Sequence, residues 1–588
     1  MDKLIIDGIE IDPNPQKTVL EVARELGIDI PTLCYHKSLT PYGACRFCVV
    51  ETIWKGRSKL QTACTFPAWE GEVRTNSEPV KKARKLILEL MLAEAPASEE
   101  LQELGKKYDV NAKRFTVVEK KKDNKCILCG LCVRLCKDVL NIGALGFEDR
   151  GFRRVITTPF NEKSETCSTC GACEYICPTG AIKTKDLSDQ KINPNYSEFE
   201  EGLDKRGAIY TPFPQAVPNK PVIDVDRCMQ FKNDACRICE MVCQPDAIDF
   251  KQKEEFIEED VGAVVVATGF DLYDPLNLKE YGYGTIPDVV TSIQFERILS
   301  ASGPTVGEVK RPSDGATPKR IVFIQCAGSR DKENHLEYCS KICCMYTAKH
   351  ALLYKHRVHE GEPIIFYIDV RTSGKSYEES YNRVTDESTT YIRGKVSKVY
   401  KDNGKIIVLG ADTLSGKQVE VEADMVVLAL GIIPKQGGEE LVRRLKIQCD
   451  ANAFLSEAHP KLKPVESQTA GIFLAGVAQG PKDIPEVVAQ ASGAASKAIG
   501  ILVQEKIAFE PTIAGVDDTL CSGCSICVGV CPYNARELDR EENIVKVVEA
   551  LCQGCGSCSS ACPSGAAQQR NLVDRQIEKM VTASLEEK

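Results

Sequence analysis

Apolar and polar positions along the chain change their spacing several times, and each change marks an element. Lys3–Ile6 and Ile9–Ile11 flank Asp7-Gly8, a hairpin signal because a tight turn needs positive φ at both central residues. Thr18–Leu26 places Val19, Leu20, Val22, Ala23 and Leu26 at helical spacing, and Gly27 ends it. Glu78–Glu94 predicts an amphipathic helix with an apolar face through Val80, Leu86, Leu90 and Met91. Residues 95–118 are charged and read as the end of a helical spacer. Gly262–Phe270 (GAVVVATGF), Lys319–Gln325 and Ala423–Gly431 (ADMVVLALG) are apolar, β-branched runs, the pattern of strands buried on both faces. No apolar run is long enough to predict a membrane span.

Composition then changes the picture through one residue type. The chain has 588 residues and 29 cysteines, of which 28 fall into seven groups of four, leaving Cys449 over as a packed rather than reactive thiol. A chain of this length needs no disulfides to hold a core. Its start, MDKLIIDGIEID, shows no secretory leader. The thiols are therefore expected as metal ligands in a reducing cytoplasm. The net charge of −9, with both signs interspersed, argues against a nucleic-acid partner.

The spacings differ among the groups. Cys34, Cys45, Cys48 and Cys64 follow C-x10-C-x2-C-x15-C on a small β-rich domain, 1–80. Plant-type [2Fe–2S] ferredoxins use C-x4-C-x2-C…C on a similar scaffold, and the alternative is a structural zinc site. Cys126, Cys129, Cys132, Cys136 and Cys167, Cys170, Cys173, Cys177 form two C-x2-C-x2-C-x3-C runs in a module at 119–190. Cys521, Cys524, Cys527, Cys531 and Cys552, Cys555, Cys558, Cys562 repeat them in a module at 511–570, followed by a charged tail, 571–588. In two-cluster ferredoxins the fourth cysteine of each run serves the other cluster. That rule predicts [4Fe–4S] sets of Cys126, Cys129, Cys132 with Cys177; Cys136, Cys167, Cys170 with Cys173; Cys521, Cys524, Cys527 with Cys562; and Cys531, Cys552, Cys555 with Cys558. A stretched run, Cys228, Cys236, Cys239 and Cys243, lies in a connecting segment, 191–255, and predicts another [4Fe–4S] site, with the alternative that Cys243 points elsewhere.

The last group is Cys326, Cys339, Cys343 and Cys344, inside an α/β module at 256–510. Cys326 stands in the turn after a buried strand, where a nicotinamide-binding unit would carry its glycine loop. The other three stand at the start of an expected helix. Four thiolates suffice for a [4Fe–4S] cluster, with His335 as a rival ligand and buried structural cysteines as the alternative. G-x-G-x-x-G occurs nowhere in the chain. Asp369 reads as structural, and Tyr377, Glu378 and Tyr381 as solvated or packed on a helix.

Two resemblances follow from these motifs. LCYHKSLTPYGACRFCVVE, and the insert GALGFEDRGFRRVI between the first two ferredoxin runs, make residues 1–190 similar to the large iron–sulfur subunit of complex I and to iron-only hydrogenases. The cluster with one His and three Cys that those families carry next is expected to be absent. EFEEGLDKRGAIYTPFPQAVPNKPVIDVDRC, IQCAGSR…YCSKICC, FYIDVRTSGKSYEESY and GIFLAGVAQGPKDIPEVVAQASGAA make residues 191–570 resemble the A-type subunit of heterodisulfide reductase. The resemblance implies a thioredoxin-reductase-like α/β module, here lacking its first dinucleotide-binding βαβ unit. Gly476, Gly480, Lys482 and Asp483 match the segment that closes over FAD. Either FAD is lost, or another subunit supplies the missing half, or a modified loop of this chain does.

The expected whole is a multidomain α/β and α+β protein with a β-grasp domain and ferredoxin-like modules. It carries one [2Fe–2S] and six [4Fe–4S] clusters and acts as an electron-transfer hub of an anaerobic multi-subunit oxidoreductase. No acid–base or nucleophile constellation accompanies the cysteines. The resemblance implies partners similar to heterodisulfide reductase subunits B and C, a small iron–sulfur adaptor, and a hydrogenase, formate dehydrogenase or NADH dehydrogenase module. The rival functions are an FAD-containing, electron-bifurcating flavoenzyme and a zinc scaffold without redox chemistry.

Overall fold

The computed structural model describes residues 3–110, 114–115, 122–162, 164–183, 195–234, 236–243, 245–387, 389–504 and 512–586. The expected boundaries at 118/119, 190/191 and 510/511 lie outside the described residues. The chain divides into two compact units, Met1–Glu255 and Phe256–Lys588.

The first unit opens with the hairpin Leu4–Ile6 and Ile9–Ile11, turned by Asp7 at φ 45° and Gly8 at φ 90°. Its sheet has the strand order Ile9–Ile11, Leu4–Ile6, Gly71–Arg74, Val49–Trp54, Arg57–Thr62, with Leu4–Ile6 parallel to Gly71–Arg74. The helix Val19–Glu25 packs across it, and Thr18 and Glu21 close a reciprocal capping box at its start. Leu4, Ile6, Leu20, Ile30, Val50 and Val73 fill the core between helix and sheet, as the apolar spacing predicts.

The helix Glu78–Glu94 forms, but on a different face from the one expected. Leu86 and Leu90 are exposed, whereas Val80, Arg84, Leu88 and Leu92 are buried. These four lie four residues apart, and Arg84 joins them because its guanidinium donates to the Val49 carbonyl at 2.9 Å. The expected helical spacer holds a second helix. Ser98 caps this helix, Glu99–Lys107, which buries Leu101 in the same core as Leu88 and Leu92. That core continues through Leu131, Leu135, Ile176, Met229 and Ile238, the apolar residues of the cysteine-bearing loops.

The second unit is built on a five-stranded parallel sheet. Its order is Val289–Thr291, Met425–Leu430, Arg320–Ala327, Glu362–Tyr367, Thr390–Arg393. The helices Ser292–Leu299 and Cys343–Arg357 pack against it, and an antiparallel meander, Val396–Asp402, Lys405–Asp412, Lys417–Ala423, follows on. Among the described residues, Val264–Val266 pairs only with Ile472–Leu474. The helix Ile484–Leu502 buries just Ala494 and Ala498 and leaves Ile484, Val488 and Leu502 exposed. The C-terminal module consists of two small antiparallel pairs, Ala514–Val516 with Ala567–Gln569 and Arg536–Asp539 with Ile544–Val547, and two short helices, Ile526–Gly529 and Ser557–Ala561. No helix among the described residues is long and apolar enough to cross a membrane.

Candidate metal centres

Cys34, Cys45, Cys48 and Cys64 are all buried in the first unit. The Cys45 amide donates to Cys34 Sγ at 3.3 Å. The thiol contacts Cys34–Cys45 and Cys48–Cys64 each pull one thiol down and push its partner up. The loop of this site touches the next one. Arg134, between Cys132 and Cys136, donates to the Thr40 carbonyl and lies 5.0 Å from the centre of the Tyr42 ring.

In the first ferredoxin module, burial pushes Cys129 up to about 12, and the neighbouring thiols Cys177 and Cys126 add to it. Burial likewise raises Cys173 to about 12, with Cys170, Cys167 and Cys136 beside it. Thiols of other sets lie near as well: Cys34 acts on Cys129, and Cys173 on Cys132. Thiols raised this far stay protonated at neutral pH unless a metal displaces the proton.

Burial raises Cys236 and Cys239, the Cys228 thiol adds to both, and Cys236 adds to Cys239. Cys236 also acts on Cys170 of the adjoining ferredoxin module, and Cys236, Cys170 and Cys173 pack on one apolar core. Cys243 accepts the Ala247 amide at 3.3 Å. Cys177 accepts from Ala181 at 3.2 Å and Cys531 from Ala535 at 3.3 Å in the same four-residue register. The stretched run therefore ends like a ferredoxin run, although its proline stands one residue later.

The central group sits at the end of the parallel sheet. Cys326 is not in the turn: the strand runs Arg320–Ala327 and includes it. Its φ is 56°, at a shift of register between Ile324 and Ala327, so the chain bulges at this thiol. Gly328 follows at φ 73°, and a Cβ there would meet the Tyr273 ring at 2.4 Å, so only glycine fits. The helix begins at Cys343 and runs to Arg357, which leaves Cys339 outside it. Cys326, Cys343 and Cys344 are buried and in mutual thiol contact; Cys326 and Cys344 are lowered and Cys343 raised by it. Cys339 is half-buried and lies near Arg330, as Cys326 does. It lines a cleft of about 590 Å³ with Lys341, Arg371, Thr372, Ser373 and Pro481. His335 shares a cavity with Cys326, but its Nδ1 is 2.9 Å from the Tyr273 hydroxyl. Asp369 pairs with Arg330. Tyr377 donates to Asp483 at 2.8 Å, Glu378 accepts from Thr372 at 2.9 Å, and Tyr381 packs edge-on to Tyr391.

In the C-terminal module, Cys521, Cys524, Cys527 and Cys562 line one cavity, and Cys531, Cys552, Cys555 and Cys558 line another. Cys552 accepts the Ala514 amide at 3.2 Å, and Cys558 accepts from Arg536 at 2.9 Å. Donors aimed at sulfur suit anionic thiolates, and the arrangement fits cluster ligation. Among the described residues, no three His, Cys, Asp or Glu side chains are placed to hold a single metal ion. A cluster does not need that, since its ligands bind different irons. Cys449, expected to be packed, is exposed, because only an isolated bridge to Leu455 covers its strand edge.

The four residues matched to a flavin segment surround the start of the helix Ile484–Leu502. Asp483 caps the helix Ile484–Leu502 and closes a box with Glu486, so that helix start is already satisfied. The Gly476 amide donates to Gln490 at 2.8 Å, Lys482 leans on the Gly480 carbonyl, and Gly480 faces open space.

Sequence reading missed Arg134, Arg330 and Arg536, the cations beside these thiols. For Arg536 a signal exists: of the positions five residues after the last cysteine of a ferredoxin-type run, Asn141, Ile182, Ile248, Arg536 and Ala567, it alone is charged.

Comparison with known proteins agrees with this layout. Residues 3–78 match the model of a 2Fe-2S iron-sulfur cluster binding domain. Residues 125–181 and 520–566 match that of a 4Fe-4S dicluster domain. The A-type subunit of the H(2):CoB-CoM heterodisulfide,ferredoxin reductase of Methanothermobacter marburgensis is 44% identical over 377 residues, 64% of this chain and 54% of the relative. The A-type subunit of the H(2)/formate:CoB-CoM heterodisulfide,ferredoxin reductase of Methanococcus maripaludis is 41% identical over 426 residues, 72% of this chain and 62% of the relative. The chain thus spans little more than half the length of these relatives. A chain of an NAD+-reducing [NiFe]-hydrogenase crystal structure aligns with 27% of this one and 74% of its own length, at 32% identity and a TM-score of 0.24, too low to bear on the fold. About two thirds of the chain is homologous to the A-type subunit of heterodisulfide reductase, and it carries a 2Fe-2S domain and two 4Fe-4S dicluster domains besides.

Proposed function

We propose that this chain is an electron-relaying iron–sulfur subunit of a cytoplasmic oxidoreductase complex of the heterodisulfide reductase type. One observation carries the proposal. Cys34, Cys45, Cys129, Cys132, Cys170, Cys173 and Cys236, drawn from four different quartets, belong to or pack on a single apolar core of the first unit. Contiguous cluster sites in a dry interior suit one-electron transfer from site to site. The chain's own residues supply thiolates, amide donors and water exclusion.

In this reading Cys34, Cys45, Cys48 and Cys64 hold a [2Fe–2S] cluster, and the other six quartets hold [4Fe–4S] clusters. The names of the relatives support a donor module that takes electrons from H2 or formate. Acceptor subunits similar to heterodisulfide reductase B and C complete this reading. A small iron–sulfur adaptor or an NADH dehydrogenase module would dock on the same relay.

The experiment is anaerobic purification of the protein with iron, zinc and flavin assays. One two-iron and six four-iron clusters predict about 26 irons per chain and no flavin retained by this chain alone. Zinc without iron would make it a scaffold, and stoichiometric FAD would make it a flavoenzyme.

A further inference from the structure

The C-terminal module holds one buried charge that the ligand sets do not use. Arg536 is 3% exposed at the start of the strand Arg536–Asp539. Its Nη2 donates to Cys558 Sγ at 2.9 Å and reaches the Gly515 carbonyl at 3.5 Å. Its Nη1 is buried without a hydrogen-bond partner. Among the described residues no carboxylate pairs with it. The same side chain lines both cavities, that of Cys531, Cys552, Cys555 and Cys558 and that of Cys521, Cys524, Cys527 and Cys562.

An unpaired guanidinium in a dry interior is costly unless an anion sits beside it. Two four-thiolate clusters supply that anion on either side. Cluster potentials follow net charge and hydrogen bonds to sulfur, and a fixed cation favours the more negative, reduced state. The low local dielectric enlarges the effect. The first ferredoxin module has no charged residue five positions after either run: Asn141 follows Cys136 and Ile182 follows Cys177.

We infer that Arg536 is a positioning residue shared by the two C-terminal clusters, whose fixed charge raises both reduction potentials, most strongly that of the cluster taking Cys558. This rests on the reading that the module holds two [4Fe–4S] clusters. Each reduction adds one electron and breaks no bond. Arg536 exchanges no proton, because a guanidinium stays charged throughout the working pH range.

The test is an anaerobic redox titration of the full chain with dithionite, followed by electron paramagnetic resonance, with iron measured on the same samples. Arg536→Met keeps the length and removes the charge; Arg536→Lys keeps the charge. With all irons retained, Arg536→Met shifts the oxidised-to-reduced ratio of both C-terminal clusters at least about tenfold towards oxidised, about 59 mV for a one-electron couple. Arg536→Lys keeps most of the wild-type potential, the other five centres stay put, and the shift is the same at neutral and mildly alkaline pH. Unmoved potentials in a fully loaded Arg536→Met protein overturn the inference, as do equal shifts in both variants. If Arg536→Met loses iron, Arg536→Gln is read in its place. Loss of iron from both makes Arg536 a structural residue and also overturns it. A wild-type module without iron overturns the cluster reading and this inference together.

Discussion

Arg330 grips Asp369 through two parallel hydrogen bonds of 2.6 and 2.8 Å. The pair ties the turn after Cys326 to the end of the neighbouring strand, and Cys344 Sγ lies 3.6 Å from the Asp369 carbonyl oxygen. The clasp therefore closes one side of the central thiol group. Asp369 is half-exposed, so its contribution is modest, about 1 kcal/mol even with bidentate geometry. Asp369→Asn should speed hydrogen exchange in the 326–344 segment about fivefold at neutral pH. Arg330 holds the Asp369 carboxyl below its ordinary value. Its stabilisation is thus complete above about pH 4 and fades as the pH falls through that lower value, where wild type and variant converge. Equal exchange at neutral pH would show that the clasp holds nothing.

The stretched quartet gives a separable prediction. Cys228→Ser should lower the iron content by one four-iron cluster, from about 26 to about 22, and leave the spectra of the other sites unchanged. Iron assay with Mössbauer spectroscopy reads this. Full iron in the variant would remove Cys228 from the ligands and leave Cys243 to be explained by its Ala247 hydrogen bond alone.

Much of this was legible along the chain because cluster ligation is written in local spacing. Three cysteines on one short loop and a fourth after a helix are placed by local geometry, and in the C-terminal module Cys562 lines the cavity of Cys521, Cys524 and Cys527, while Cys531 lines that of Cys552, Cys555 and Cys558. The hairpin at Asp7-Gly8 and the box at Thr18 and Glu21 are equally local. What depended on distant partners was not legible. Arg84 faces inward only because the Val49 carbonyl awaits it, and that turns Leu86 and Leu90 outward. Cys326 continues its strand through a bulge that no propensity announces. His335 looked free to bind metal until Tyr273, far off in sequence, met its ring. Arg536 reads as an ordinary surface cation until both thiol sets close around it.

Nicotinamide binding provides a third test. The strand that would present a phosphate loop carries Cys326 near its end, and Gly328 and Arg330 follow it, with Gly328 pressed against Tyr273. The chain alone should show no saturable binding of NADH by titration calorimetry. A defined binding isotherm would mean that another part of the α/β module cradles the pyrophosphate.

At the centre, Cys326→Ala should remove one [4Fe–4S] cluster while the two ferredoxin modules keep theirs. It should also slow electron passage between them, measured by rapid-mixing reduction of the full chain. A variant with every iron and the wild-type rate would make these thiols structural.

The most direct measurement is a reductive titration of the anaerobic full chain to completion with a low-potential one-electron donor. Seven quartets, each holding a cluster that accepts one electron, predict an uptake of about seven electrons per chain, in one-electron steps. Uptake of none, or of a single pair accompanied by flavin bleaching, would contradict the relay.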